Sequence, residues 1–220
     1  MTFPIFMNFD EFSLRIPKIK NLPLPGEASH LKMAPQFRLE ELRQARQKSK
    51  NPKRAGVMAL FYPDSDNKTQ FLLILRKSHP KDVHSNQVGF PGGKVEKGDS
   101  DLMATALRET YEEVGVEPSD VEVVRSLSEI YIPPSNFEVH PFVGLYAKVK
   151  PFVPQTTEVA SILEVKLEDF MSDNSLFTEN LSTSYAKNVD VPAFKLNGYT
   201  VWGATSMMLS EIRTLLQQVL

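Results

Sequence analysis

The stretch DSDLMATALRETYEEVGVEP, from Asp99 to Pro118, constrains the fold more than any other part of this chain. Asp99, Ser100 and Asp101 offer side-chain oxygens to the free N–H groups of a helix start. Behind them Met103, Leu107, Thr110 and Val114 recur at spacings of four, three and four, one apolar stripe at about 100° per residue. Gly115 supplies a left-handed cap and Pro118 prevents the helix from resuming. The sequence therefore predicts an amphipathic helix that must lay its stripe on another layer.

On the side away from that stripe, Glu109, Glu112 and Glu113 fall within roughly 100° of arc. They sit in the last turns, where the helix dipole disfavours an anion by about 0.3–1 kcal/mol and mutual repulsion adds to the cost. A solvated acidic face is the bland explanation. A divalent cation would relieve both penalties, and carboxylate oxygens suit Mg²⁺, which keeps waters for substrate phosphates. Arg108 can tether a neighbouring carboxylate and steady the face. Upstream, Gly89-Phe90-Pro91-Gly92-Gly93 forms a loop whose glycines permit positive φ and close backbone approach.

The absence of cysteine excludes disulfides, thiolate metal sites and a cysteine nucleophile, so any metal is expected to be a hard cation on oxygen. A net charge of −2 and a pI near 6.1 give no global basic field for a nucleic-acid polymer or an anionic membrane. The start, MTFPIFMNFDEFSLRIPK, has no basic segment leading into an apolar run, and no stretch approaches the roughly 20 apolar residues of a membrane span. The end, Gln218-Val219-Leu220, is not a peroxisomal address of the Ser-Lys-Leu type. A cytoplasmic protein is the expectation.

A short helical piece is expected around Phe9–Leu14, then a proline-rich extended arm over Pro17–Pro35 and a helix over Phe37–Lys50 with Arg46, Lys48 and Lys50 near its end. Ala55–Tyr62 and Phe71–Leu75 read as buried strands joined by the turn Pro63–Lys68. Further strands are expected at Val121–Val124, Glu129–Ile132 and Phe142–Lys148, with Glu158–Leu163 opening a segment that ends in Val165–Phe170. Asn197-Gly198 joins Ala193–Leu196 to Tyr199–Val201 as a hairpin, and Ala204–Leu220 carries apolar residues at helical spacing. The 220 residues are expected to form an N-terminal arm and helix over 1–52 and one catalytic domain over 53–220 that includes the C-terminal helix.

The run GGKVEKGDSDLMATALRETYEEVGV resembles the Nudix box, in which Gly, five residues, Glu and seven residues precede Arg-Glu-aliphatic-x-Glu-Glu-x-Gly-aliphatic. Arg108, Glu109, Glu112, Glu113, Gly115 and Val116 match its second half. Asp99 stands for the early glutamate, one extra residue precedes Arg108, and Thr110 replaces an aliphatic; Asp99 is not assigned to metal. The spacing shift is similar to that of the coenzyme A diphosphatase branch. So is LLILRKSHPKDVHSNQVGFPGG from Leu72 to Gly93, where Ser78, His84, Gln87 and Phe90–Gly93 agree while Lys77, Asp82 and Asn86 stand for Arg, Arg and Gly. YIPPSNFEVHPFVG (Tyr131–Gly144), Glu158-Val159-Ala160 and Val201–Thr205 also look like that branch, so the resemblance runs from about Ala55 to Ile212.

The resemblance implies an α/β (α+β) fold, the Nudix α/β/α sandwich with a mixed β-sheet and the box as a loop-helix-loop at its edge. It implies a metal-dependent diphosphatase in which Glu109, Glu112 and Glu113 bind Mg²⁺ or Mn²⁺, Arg108 supports them, and Glu109 or Glu158 takes a proton from water. Glu158 reads equally as a surface glutamate, and His140 as a structural strand-end residue. Arg76, Lys77, His84, Gly92 and Gly93 are candidate substrate-binding residues. The substrate class is coenzyme A or an acyl-coenzyme A; another nucleotide, such as a nucleoside triphosphate or ADP-ribose, or a catalytically silent nucleotide-binding module are the alternatives. The expected partner is a small nucleotide, without nucleic-acid polymer or membrane, and a homodimer is left open.

Overall fold

The computed structural model describes residues 7–35, 38–78, 86–181 and 188–220. In chain order its helices are α1 (Phe9–Arg15), α2 (Glu27–His30), α3 (Leu39–Lys48), α4 (Leu102–Val114), α5 (Leu167–Met171) and α6 (Gly203–Val219). Its strands are β1 (Lys53–Pro63), β2 (Thr69–Arg76), β3 (Val88–Gly89), β4 (Gly92–Lys94), β5 (Glu122–Ser126), β6 (Ile130–Ile132), β7 (Phe137–Leu145), β8 (Val159–Lys166), β9 (Leu176–Leu181), β10 (Val189–Leu196) and β11 (Tyr199–Val201).

β1 is the spine, because eight of its residues are buried in succession and it therefore packs on both faces. It pairs in parallel with β7, Ala55 opposite Val139, and antiparallel with β2 and β4. β2 pairs with β8 and β3, while β5 and β6 share β7. Among the described residues this makes a mixed, mostly antiparallel sheet of eight strands, beside a three-stranded sheet β11-β10-β9. Ala59, Phe61 and Phe71 face a cluster with α1 and α6, whereas Met58, Leu60 and Tyr62 face one with Leu102 and Ala106 of α4. The sheet thus lies between helical layers, as expected.

The two hairpins fall where the turn residues placed them: Phe61 pairs with Phe71, and Leu196 with Tyr199 across Asn197 and Gly198. β7 starts earlier than expected, at Phe137, and contains Pro141. The missing proline N–H is tolerated because it falls in the gap between β5, which reaches Phe142, and β6, which begins at Val139. The expected extended arm instead winds into helical turns at Ile16–Asn21, α2 and Leu31–Met33. Proline at the second position of the first turn suits a helical start, and Ile16, Ile19 and Met33 bury themselves in the α6-side cluster.

α4 corrects the expected stripe. Asp101 is its N-cap, accepting from the Ala104 N–H at 2.8 Å, and Gly115 ends it at φ 77°. The buried face runs through Leu102, Ala106, Thr110 and Val114, while Met103 is exposed. The cause lies on β1: a Cβ at Gly56 would sit 2.3 Å from the Leu102 carbonyl oxygen and 2.9 Å from the Ala106 nitrogen, so the helix backbone itself lies against the strand. Small residues win that face over larger ones.

Candidate active site

The glycine loop and α4 meet at the edge of β1. Gly92, in β4, has φ 151°, and a Cβ there would lie 2.4 Å from the Gly56 carbonyl oxygen, so only glycine fits. A Cβ on Gly93 would strike the Glu109 carboxylate at 2.5 Å. The glycine pair is the gap through which the acidic side chains pass.

Glu113 does not lie on a wet face, contrary to the expected arrangement. Its side chain is 3% exposed, accepts the Gly92 N–H at 2.8 Å and has the Arg76 guanidinium at 3.7 Å. Burial pushes its carboxyl up to about 7, the Gly92 N–H and Arg76 oppose this, and the charges of Glu109 and Glu158 add to the rise. Glu109 is also raised, first by burial and further by Glu112 and Glu158, against the pull of Arg108. Glu112 is half exposed. The acids therefore form a gradient from core to water.

Arg108 organises them. Its Nε and Nη2 grip both Asp99 oxygens at 2.9 and 3.0 Å, and its Nη1 donates to Glu109 and Glu112, each at 3.0 Å. The Asp99 bond holds Arg108 firmly cationic, and Arg108 in turn holds the Asp99 carboxyl well below the usual range, with help from the Glu96 N–H and Thr105. Asp99 accordingly serves as the anchor of Arg108. An acid just before the helix and an arginine nine residues on were the available signal; the sequence showed the two residues without their pairing.

Glu158 arrives from another element. The end of α4 leaves carbonyls without helical partners, and those of Glu113 and Val114 accept from the N–H groups of Gln155 and Val153 at 2.9 and 3.0 Å. That stitch brings the segment before β8 against the helix, so that exposed Glu158 adds its charge to Glu109 and Glu113.

These side chains line a cleft of about 730 Å³, together with Arg76, Gln87, Gly92 and Gly93. Lys77 turns aside, its ammonium donating to the Thr156 carbonyl at 2.7 Å. His84 lies outside the described residues. The cleft also takes in Met33, Pro35, Arg38 and Leu42 from the N-terminal segment, and Trp202, Met207 and Met208 around the start of α6, none of which the sequence marked as site residues. His140 sits apart with Glu138 and Glu129, their ligand atoms within 4.8 Å of one another. Both acids already have a partner, Glu129 in Arg46 and Glu138 in His140, whose Nε2 lies 3.0 Å away. Among the described residues Glu109, Glu112 and Glu113 do not converge to within 4.8 Å in this way, but they offer carboxylate oxygens alone, the donor type a hard divalent cation accepts.

Comparison with known proteins agrees with this geometry. The NUDIX domain pattern matches residues 52–182. The chain is 33% identical over 172 residues to Nudix hydrolase 22, chloroplastic, of Arabidopsis thaliana, covering 76% of this chain and 56% of that protein. It is 31% identical over 173 residues to the peroxisomal coenzyme A diphosphatase ndx-8 of Caenorhabditis elegans, covering 78% of this chain and 72% of that protein. The chain thus spans little more than half the length of the Arabidopsis relative. Among solved structures, the Nudix hydrolase RenU from M. smegmatis superposes with a TM-score of 0.52 at 13% identity, over 77% of this chain and 88% of that one, and so shares the fold. Among the described residues no helix is long and apolar enough to cross a membrane. With its box helix, its glycine gap and these relatives, the chain belongs to the Nudix hydrolase family.

Proposed function

We propose that the protein hydrolyses the diphosphate bond of coenzyme A or an acyl-coenzyme A, giving 3′,5′-ADP and 4′-phosphopantetheine or its acyl form. One observation carries the reaction class: Glu109, Glu113 and Glu158 are gathered in mutual repulsion on the wall of an open cleft, with two of the carboxyls raised. Glu109, Glu112 and Glu113 would hold Mg²⁺ or Mn²⁺, which when bound polarises phosphoryl oxygens and favours ionisation of water.

The chain's own residues supply the rest. Arg108, fixed by Asp99, sets the direction of Glu109 and Glu112. Gly92 and Gly93 let phosphate oxygens approach the backbone, and Arg76 faces them with a guanidinium suited to oxyanions. It is preferred to Lys77 because it lines the cleft, whereas Lys77 turns to the Thr156 carbonyl. Glu109 or Glu158 accepts the proton of the attacking water as its oxygen bonds to phosphorus, and the bridging P–O bond breaks with its electron pair leaving on the departing phosphate. The branch-like segments at Leu72–Gly93 and Val201–Thr205, with the diphosphatase relative in C. elegans, support coenzyme A as the substrate.

A panel of coenzyme A, dephospho-coenzyme A, ADP-ribose and nucleoside triphosphates, with Mg²⁺ or Mn²⁺ and products resolved by mass, tests this. Coenzyme A should be cleaved fastest at limiting concentration. Faster cleavage of ADP-ribose or of the dephospho form refutes the substrate, and no cleavage of any member refutes the diphosphatase.

A further inference from the structure

The cleft lining combines two chemistries: the acids with Arg76, and an apolar set of Met33, Leu42, Ile132, Trp202, Met207 and Met208. Three polar residues of the lining already have partners. The Arg38 guanidinium forks onto Glu41 at 2.9 and 3.1 Å, Thr205 donates to the Val88 carbonyl at 3.0 Å, and Ser135 is engaged as well. A purine would find few groups there to read its edge, whereas methionines and leucine conform to a flexible chain.

Two of these wall residues come from the N-terminal segment, outside the stretch that matches the NUDIX pattern. The segment is fixed from below by Glu211 of α6, which is fully buried. It accepts from Ser128 Oγ at 2.7 Å and from the Gly26 N–H at 3.2 Å, and faces His30 Nε2 at 2.9 Å. Burial would raise its carboxyl, yet the bonds from His30 and Ser128 outweigh this and hold it below the usual range. Arg43 with Glu27 and Arg46 with Glu129 then set α3 over the cleft. Leu42 on α3 stays only half-buried because its neighbour is the open cleft.

Resting on the diphosphatase reading, we infer that Met33 and Leu42 are specificity-determining residues. They form the wall along which the aliphatic chain of an acyl-bearing substrate lies, so the N-terminal segment selects substrates by the length of that chain. The free substrate, which lacks the chain, does not reach this wall.

The test compares coenzyme A with dodecanoyl-coenzyme A in the wild type, Leu42→Glu and Leu42→Ala. Trp202 is the sole tryptophan and lines the same cleft, so its fluorescence reports binding without metal and without turnover. In the wild type, dodecanoyl-coenzyme A should bind about tenfold or more tightly than coenzyme A, the advantage of burying an apolar chain. Leu42→Glu should erase that advantage, raising KM for the acyl substrate about tenfold with kcat within about twofold, while KM for coenzyme A stays put. Leu42→Ala should fall between. Equal effects on both ligands, or no effect of either variant, overturn the inference. If the wild type cleaves neither compound but Trp202 still reports a chain-length preference that Leu42→Glu removes, the wall assignment stands and the diphosphatase reading falls. Cleavage without a chain-length preference does the reverse.

Discussion

Replacing Glu113 with glutamine should stabilise the metal-free protein, and should do so only at neutral and alkaline pH. A free glutamate titrates near 4.5, and burial pushes Glu113 up to about 7. Between these values the folded protein holds a proton that the unfolded chain has released, so stability falls as pH rises through this window. At about 1.4 kcal/mol per pH unit the penalty reaches roughly 3 kcal/mol above pH 7 and vanishes below pH 4.5. Because the side chain is 3% exposed, solvent screening removes little of it. Glutamine keeps an oxygen for the Gly92 N–H and carries no charge to bury. For a chain of this size, roughly 3 kcal/mol moves a thermal midpoint by about 6–12 °C. Midpoints of wild type and Glu113→Gln, measured in chelator from pH 4.5 to pH 8.5, should therefore coincide at the acid end and diverge towards the alkaline end. Parallel curves separated by a constant gap would show that Glu113 is not buried as a strained acid. Turnover with Mg²⁺ should collapse in the same variant at every pH.

Millimolar Mg²⁺ or Mn²⁺ should raise the wild-type midpoint, by roughly 2.7 kcal/mol at one hundred times the dissociation constant, and calorimetry should show that gain shrinking in Glu109→Gln. Gly93→Ala should cost about a hundredfold in kcat with a small change in midpoint, since its Cβ collides only with the movable end of Glu109. Gly56→Ala should do the opposite, losing about 1–3 kcal/mol in denaturant titration because its Cβ meets the α4 backbone. Asp99→Asn should lower kcat by weakening the grip on Arg108, and Arg108→Lys should not rescue it, because an ammonium cannot reproduce the two-pronged bond.

What the sequence disclosed follows from how local the cause was. Asn197-Gly198 and Pro63–Lys68 dictate turns by their own backbone preferences, and Gly115 ends α4 by needing positive φ. The family pattern was likewise contiguous, so Arg108, Glu109, Glu112 and Glu113 were visible together. The direction of α4 was not, because Gly56, some fifty residues upstream, decides which helix face approaches. Ranked by hydrophobicity, Met103 outbids Ala106; ranked by room, the order reverses. Glu113 looked solvated for the same reason. β9 and α5 carry weak periodicity and take their conformation from β10 and β8. Met33 and Leu42 reach the cleft through Glu211 and the Arg46–Glu129 pair, contacts no sequence window spans.

The parallel pairing of β1 with β7 has a kinetic side. It joins Lys53 to Phe137 and Phe61 to Leu145, so the spine cannot zip from a neighbouring turn but must wait for a long loop to close. The hairpin of β1 and β2 can form early; the gap that admits Glu109 and Glu113 acquires its walls only when β4 and α4 dock on β1. If docking of β1 on β7 limits the rate, a cation or nucleotide that needs the finished gap should be absent from that encounter. Its binding should then slow unfolding and leave the folding rate unchanged.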